Sequence, residues 1–278
     1  MSLAATDLAP ALEAAIEAHG LAPCRATPIS SLHDPDRTGR IAYRVETEDG
    51  RRVKLRLLES EDAVRRLVVL RSGIDPAFTA VVARYGPVLL EEWVEGEPLP
   101  GSEAEARVEE AAALLGRLHR TPLADEPDRC SSEPWREAAE SDLLLLAEAG
   151  RLPEEPAEAL RRRLAAEDPG EARAALIHRD FCAENLIVDP GGQLHMVDNE
   201  WLMVGPPAWD LGRTFHRWPM SPDAWERFTK AHRAEVGEPE AYGFWQLSAT
   251  LLSARVFHQH APERLPPLLA ILEDLARA

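Results

Sequence analysis

In the segment ALIHRDFCAENLIVDPGGQLHMVDNEW, His178, Asp180 and Asn185 occupy an H-x-D-x-x-x-x-N spacing, and Asp198 follows after one further strand-like run. Phosphoryl transfer needs this combination. A carboxylate must orient and deprotonate the attacking hydroxyl, while Asn and Asp oxygens hold the magnesium ions that bridge the phosphates. β-Prone runs flank the loop, and Asp189-Pro190-Gly191-Gly192 supplies a turn before the run Gln193 to Val197. A hairpin is therefore expected to bring residues from two strand ends into one site.

Other reactive side chains in this stretch carry less. His178 has no second His or Cys at ligand spacing, so a metal-ligand role is not favoured. Cys182 lacks a paired histidine arrangement and reads as a loop-packing residue. Hydrolysis by a metal on His178, Asp180 and His195 would need a ligand framework that the sequence does not display.

The elements that must position these groups differ along the chain. A helix is expected from Leu8 to His19, stopped by Gly20, followed by two strands joined around Asp49-Gly50. Ser60 precedes EDAVRRLVVLR, a helix with acidic residues in its first turn and basic ones in its last. TAVVARYGPVLLEEWVEG reads as two more strands around Gly86-Pro87. From Ser102, which forms a capping-box pattern with Glu105, helical spacing takes over. It recurs over about Glu133 to Ala149, Glu154 to Ala166, Pro222 to Val236, Tyr242 to His260 and Leu265 to Ala276. The pattern predicts an α+β protein of two lobes, a small β-rich N-terminal lobe over residues 1–96 and a larger helical C-terminal lobe over 97–278, with a cleft between them.

Bulk properties exclude several classes. A formal charge of -17 and a pI near 5.0 argue against a nucleic-acid partner, which requires a clustered basic surface. The three cysteines, Cys24, Cys130 and Cys182, are odd in number and lack CxxC spacing, as free thiols in a reducing cytoplasm would. The N-terminus has no basic start followed by an apolar run, and the longest all-apolar run, Leu143 to Ala147, is too short to span a bilayer. No membrane association is expected, and a cytoplasmic location is.

The segments IHRDFCAENLIVD, EEWVEGEPL, LLGRLH and VDNEWLMVGPPAWDLGR together resemble the aminoglycoside phosphotransferase and choline kinase superfamily, whose members share the protein-kinase-like fold. The resemblance implies Asp180 as catalytic base, Asn185 as a magnesium ligand and Asp198 as the principal magnesium ligand. It makes His178 an organiser of the loop and Asp210 its internal brace. Glu200 is read either as a helper at the metal or as a capping or solvent-facing carboxylate. Lys54 and Arg56, on one face of the strand in VKLRLL, are the two candidates for the cation that meets the nucleotide phosphates, Lys54 first. The implied cofactors are Mg2+ and ATP or GTP, and the implied acceptor is a hydroxyl of an aminoglycoside-like, amino-alcohol or sugar molecule. The alternative is a non-catalytic kinase-like nucleotide- or partner-binding protein.

Two features depart from the family. The loop ISSLHDPDRTG has only Gly39, and EDAVRRLVVLR has no glutamate midway to pair with Lys54, leaving Glu59, Glu61 or Asp62. Between Asp198 and Asp210 there is no Ser, Thr or Tyr and no A-P-E motif, which points to a small acceptor rather than a protein. Glu133, Glu137, Glu140, Asp142, Asp223 and Glu226 are acidic candidates for an amine, with solvated helix faces as the ordinary alternative. Trp135, Trp218 and Trp245 offer either an aromatic wall or core packing.

Overall fold

A computed structural model of the 278-residue chain describes residues 10–21, 23–29, 41–75, 77–99, 101–123 and 128–277. The loop carrying Gly39 lies outside the described residues. The chain divides into two compact units. One takes the residues up to Glu97 together with Leu186–Glu200, and the other takes Pro98–Asn185 and the chain from Trp201 onward.

The first unit is built on a five-stranded antiparallel sheet. Its strands are β1 (Pro23–Pro28), β2 (Ile41–Thr47), β3 (Arg52–Leu57), β4 (Val81–Tyr85) and β5 (Val88–Glu92), in the order β1-β2-β3-β5-β4. β2 and β3 are joined where Asp49-Gly50 predicts a turn, and Gly50 takes the positive φ of 83° that such a turn requires. Helix α1 (Pro10–Ala18) buries Leu12, Ala15 and Ile16 in a core with Val45, Val53, Leu55, Val88 and Leu90. Each fully buried aliphatic side chain of this kind contributes roughly 1.5–3 kcal/mol relative to exposure.

Helix α2 (Glu61–Leu70) is capped by Ser60, whose hydroxyl accepts from Ala63 N at 3.1 Å. Its last turn holds no base, contrary to the dipole pattern expected from the sequence. Arg71 lies just beyond it and turns inward to Glu91 instead. The hairpin Leu186–Val188 and Leu194–Met196 is tied to this unit by backbone bonds, Met196 N to Ala77 O at 2.8 Å and Thr79 N to Met196 O at 3.4 Å.

The second unit contains helices α3 (Gly101–Ala104), α4 (Val108–His119), α5 (Glu133–Glu148), α6 (Glu154–Glu167), α7 (Pro207–Arg217), α8 (Pro222–Val236), α9 (Tyr242–His260) and α10 (Pro266–Arg277). The side chain of Ser102, on which the expected capping box depends, lies outside the described residues. A short 3-10 turn, Glu105–Arg107, lies between α3 and α4, and the Glu105 carboxylate accepts from the N–H and hydroxyl of Ser221. α9 is buried on nearly every side and forms the axis against which α5, α6, α7 and α10 pack. Gly212 on α7 lets the helices approach closely, since a Cβ there would lie 2.7 Å from Gln246 Cα and 2.8 Å from Trp245 O. The buried strand Ala175–Ile177 pairs with Met203–Gly205 and ends directly before His178, which fixes where the polar loop begins.

Candidate functional site

In the first unit, alternation along β3 places Lys54 and Arg56 on one face, and both are buried, at 9% and 6% exposure. Neither is an exposed strand residue. Lys54 Nζ lies 2.7 Å and Arg56 Nη2 2.6 Å from the same Asp198 oxygen, Oδ1, and Arg56 Nη1 lies 2.5 Å from Glu200 Oε1. Glu91, on β5 opposite Lys54 in register, completes the cluster. Its carboxylate receives Arg71 Nη1 at 2.6 Å and stands 3.6 Å from Arg56 Nε. Sequence reasoning sought a carboxylate for Lys54 on the helix at Glu59, Glu61 or Asp62. Among the described residues the carboxylate bonded to Lys54 is Asp198, while Glu91, inside EEWVEGEPL, stands opposite Lys54 in register and pairs with Arg71 and Arg56.

The charges act on one another strongly. Burial pushes the Asp198 carboxyl up, but Lys54 and Arg56 outweigh it and hold the group well below the usual carboxylate range. Glu91 is likewise lowered, against its burial, by Lys54, Arg56 and Arg71. Glu200 goes the other way, raised by burial and by the adjacent Asp198 charge despite Arg56. Asp198 has φ 61°, a left-handed conformation that non-glycine residues adopt at a cost. Its side chain keeps 45% of its surface open, and its second oxygen is engaged by no described residue.

In the second unit, α7 presents Asp210, Arg213, Thr214 and Arg217 to the polar loop at i, i+3, i+4 and i+7, a single helical face. Asp210 accepts from His178 N and Arg179 N, each at 2.7 Å, and from His119 Nε2 at 3.0 Å. Burial raises Asp210, yet His119 and the loop N–H groups leave it lowered overall. Thr214 Oγ1 donates to Phe181 O at 3.0 Å. His178 is fully buried, and its Nδ1 lies 3.3 Å from the Asp180 N–H, an organising position within the loop.

Asp180 Oδ1 is met by Arg213 Nη2 at 3.1 Å and Arg217 Nε at 3.0 Å. Burial would raise this carboxyl, but the two guanidinium groups dominate and bring it down to about 2. Asn185 Nδ2 donates to Asp180 O at 2.8 Å, which leaves the amide oxygen as its open acceptor. Cys182 is buried, and burial together with the Asp180 charge pushes its thiol up to about 12, so it packs rather than reacts. His195 Nε2 bonds Asp189 Oδ2 at 3.0 Å within the hairpin. Trp218 and Trp245 are core residues, whereas Trp135 is half-buried.

Arg213, Arg217 and His119 escaped the sequence reading. The two arginines were detectable as the residues three and seven places after Asp210, had α7 been recognised as a helix. Among the described residues, no three His, Cys, Asp or Glu side chains gather into a metal-binding group. The carboxylate oxygens of Asp198 and Glu200, both in the first unit, have the chemistry Mg2+ prefers, since that ion takes one or two carboxylates, keeps waters and binds substrate phosphates.

A sequence profile described as the phosphotransferase enzyme family matches residues 33–245. Among solved structures, a putative aminoglycoside phosphotransferase from Ralstonia eutropha is similar at a TM-score of 0.68 and 15% identity, covering 96% of this chain and 97% of that one. The macrolide 2'-phosphotransferase of Brachybacterium faecium gives 0.64 and 17%, covering 96% and 98%. A choline kinase from Streptococcus pneumoniae gives 0.65 and 16%, covering 95% and 98%. No functionally curated protein sequence matches significantly.

Proposed function

This chain belongs to the phosphotransferase enzyme family, and on that premise we propose that it transfers the γ-phosphoryl group of ATP or GTP to a hydroxyl of a small acceptor. The observation that carries the reading is the loop from His178 to Asn185, in which buried Asp210 of α7 holds the His178 and Arg179 N–H groups, Arg213 and Arg217 hold the Asp180 carboxylate, and Asn185 donates to the Asp180 carbonyl. The acceptor classes expected from the sequence are aminoglycoside-like, amino-alcohol and sugar molecules. The names of the similar structures, a macrolide and an aminoglycoside phosphotransferase and a choline kinase, support a small acceptor.

In this reading Asp180 is ionised at every working pH and accepts a hydrogen bond from the acceptor hydroxyl. A carboxylate whose pKa is about 2 is a weak base, so its first contribution is orientation, and it takes the proton late, once the hydroxyl oxygen has begun to bond to phosphorus. That order suits a loose transition state, where the nucleophile gains little positive charge early. Lys54 and Arg56 supply the cations for the nucleotide phosphates. Asp198, Glu200 and Asn185 are the proposed Mg2+ ligands, and the ion, when bound, neutralises phosphate charge. His178 and Asp210 keep the loop in shape. Among the described residues no helix is long and apolar enough to cross a membrane, and a cytoplasmic location with no nucleic-acid partner remains part of the proposal.

The test is a panel of hydroxyl compounds incubated with ATP and with GTP, reading nucleoside diphosphate release and the mass of the product. Magnesium-dependent release with a mass gain of one phosphoryl group is expected. Absence of any magnesium-nucleotide binding would replace this reading with the non-catalytic kinase-like binding protein.

A further inference from the structure

Arg179 stands between His178 and Asp180 in the loop just described, and its backbone is held at φ 70°. That conformation is costly for an arginine and is enforced from both sides. The Arg179 N–H donates to Asp210 Oδ1 at 2.7 Å, and its carbonyl accepts from Arg213 Nε at 3.1 Å. The guanidinium lies over the rings of Trp135 and Trp201, at 5.9 and 5.7 Å from their centroids.

Among the described residues, no carboxylate lies within ion-pair distance of this guanidinium. Asp180 is taken by Arg213 and Arg217, and Glu184 lies 3.6 Å from Arg217. Asp210, among the described residues the one carboxylate that acts on Arg179 through space, already receives two loop N–H groups and His119. Burial and the neighbouring Arg213 both disfavour the Arg179 charge and lower its pKa. His216, on the same helix as Arg213, is held toward its neutral form by burial and by the two arginines, so it adds no further positive charge. A partly buried cation without a counter-ion is an expensive arrangement beside a reacting carboxylate. It is also unexpected in a chain of net charge -17, where solubility needs no arginines.

The same residues are well suited to an anion. A guanidinium presents a planar fork that matches a carboxylate or phosphate, and two tryptophan rings reduce the freedom such a side chain must lose on binding. Recognition of an amine, by contrast, has little to work with. Asp142 is buried and paired with Arg255 at 2.6 Å, Glu140 is paired with Arg136 at 3.0 Å, and Glu133, Glu137, Asp223 and Glu226 are exposed.

We propose that the acceptor carries an anionic group, a carboxylate or a phosphate monoester, seated on the Arg179 guanidinium against Trp135 and Trp201, so that a neighbouring hydroxyl is presented to Asp180. The proposal rests on the phosphotransferase reading and narrows its acceptor class. In the reaction the acceptor oxygen bonds to the γ-phosphorus as the bond from that phosphorus to the bridging oxygen breaks. The hydroxyl proton goes to Asp180, and the electron pair of the broken bond leaves with the nucleoside diphosphate.

Two measurements test it. Glycerate and glycerol 3-phosphate are titrated into the full chain saturated with ADP and Mg2+, with tryptophan fluorescence as readout. Turnover with ATP is compared for glycerate against glycerol, gluconate against glucose, and ethanolamine. Saturable binding of at least one anion is expected, weakened about tenfold or more in Arg179→Gln and partly kept in Arg179→Lys. The carboxylate and phosphate arms decide which group is preferred. Any compound phosphorylated should be the anionic member of its pair, and in Arg179→Gln the loss should appear in KM for that compound rather than in nucleotide affinity. Arg179→Gly, which suits φ 70°, guards against misfolding and should lose anion binding as Arg179→Gln does. Equal anion affinity in parent and variants, no anion binding by the parent, or preferred turnover of a neutral or cationic compound overturns the proposal. Failure to bind MgATP overturns the phosphotransferase reading itself, whatever the anion titrations give.

Discussion

At the scale of single residues, the proposed function expects Asp180 and Asp198 to fail differently when neutralised, because it gives the first to the acceptor and the second to the metal. Asp180→Asn should retain magnesium-dependent ATP binding by calorimetry and lose most turnover, on the order of a hundredfold or more, as when a positioned acid–base group is removed. Asp198→Asn should weaken the magnesium dependence of binding itself, since it removes charge from the metal's oxygen set. A pH profile gives a further check. The folded-state pKa of Asp180 is depressed to about 2, so its ion pairs stabilise the fold above about pH 4 and fade as pH falls through 2. No acid limb from Asp180 should therefore appear between pH 5 and 8. Arg217→Ala removes one of the two cations, and the acid limb of kcat/KM should move upward, detectable as activity lost at pH 5 that the parent retains. An unchanged limb would mean that Arg213 alone sets the Asp180 charge.

The elements carry two further expectations. Lys54 and Arg56 share a face of β3 but not a burden. Arg56 meets Asp198, Glu200 and Glu91, whereas Lys54 is bonded to Asp198 alone. Arg56→Ala strands buried carboxylates against each other and should cost about 3–5 kcal/mol in denaturant unfolding. Lys54→Ala should cost less and act mainly by raising KM for nucleotide. On α7, Gly212→Val inserts atoms where α9 backbone lies within 3 Å, and about 1–3 kcal/mol or more of destabilisation should follow in thermal melts. The elements also show what a sequence discloses. Asp49-Gly50, Ser60 and the runs Pro222 to Val236 and Tyr242 to His260 announce themselves through turn chemistry, a cap and helical spacing, all of them local signals. α7 did not, because Pro206-Pro207 reads as a break and its apolar residues are few, so Arg213 and Arg217 went unnoticed. Glu91 was hidden for another reason, since which residue on β5 faces Lys54 depends on strand register, a non-local property. Glu105 has a partner more than a hundred residues away, in Ser221, which no local pattern announces.

For the whole molecule, the net charge of -17 sets a field that opposes every anionic reactant at long range, while the arginines around Asp180 attract one at short range. Salt screens the first more than the second, because exposed charges more than about 10 Å apart are largely screened at 0.1 M ionic strength. Raising ionic strength from about 0.02 to 0.15 M should therefore increase kcat/KM for MgATP by a few-fold in stopped-flow association, and a decrease would show that local ion pairs dominate encounter.

The discontinuity of the first unit bears on how this protein is made. Its sheet is finished by Glu97, but the hairpin that supplies Asp198, and the adjoining Glu200, are translated about a hundred residues later. Until then Arg56 and Arg71 have Glu91 to pair with but not Asp198 or Glu200, and Lys54 lacks its Asp198 partner. The early sheet is thus charge-imbalanced on the ribosome, and the segment Ala77 to Thr79 before β4 lacks the Met196 backbone that pairs with it. A fragment ending at Glu97 should accordingly be poorly folded when expressed alone, and the hairpin Leu186–Glu200 added in trans as a peptide should restore protection of the Thr79 amide from exchange.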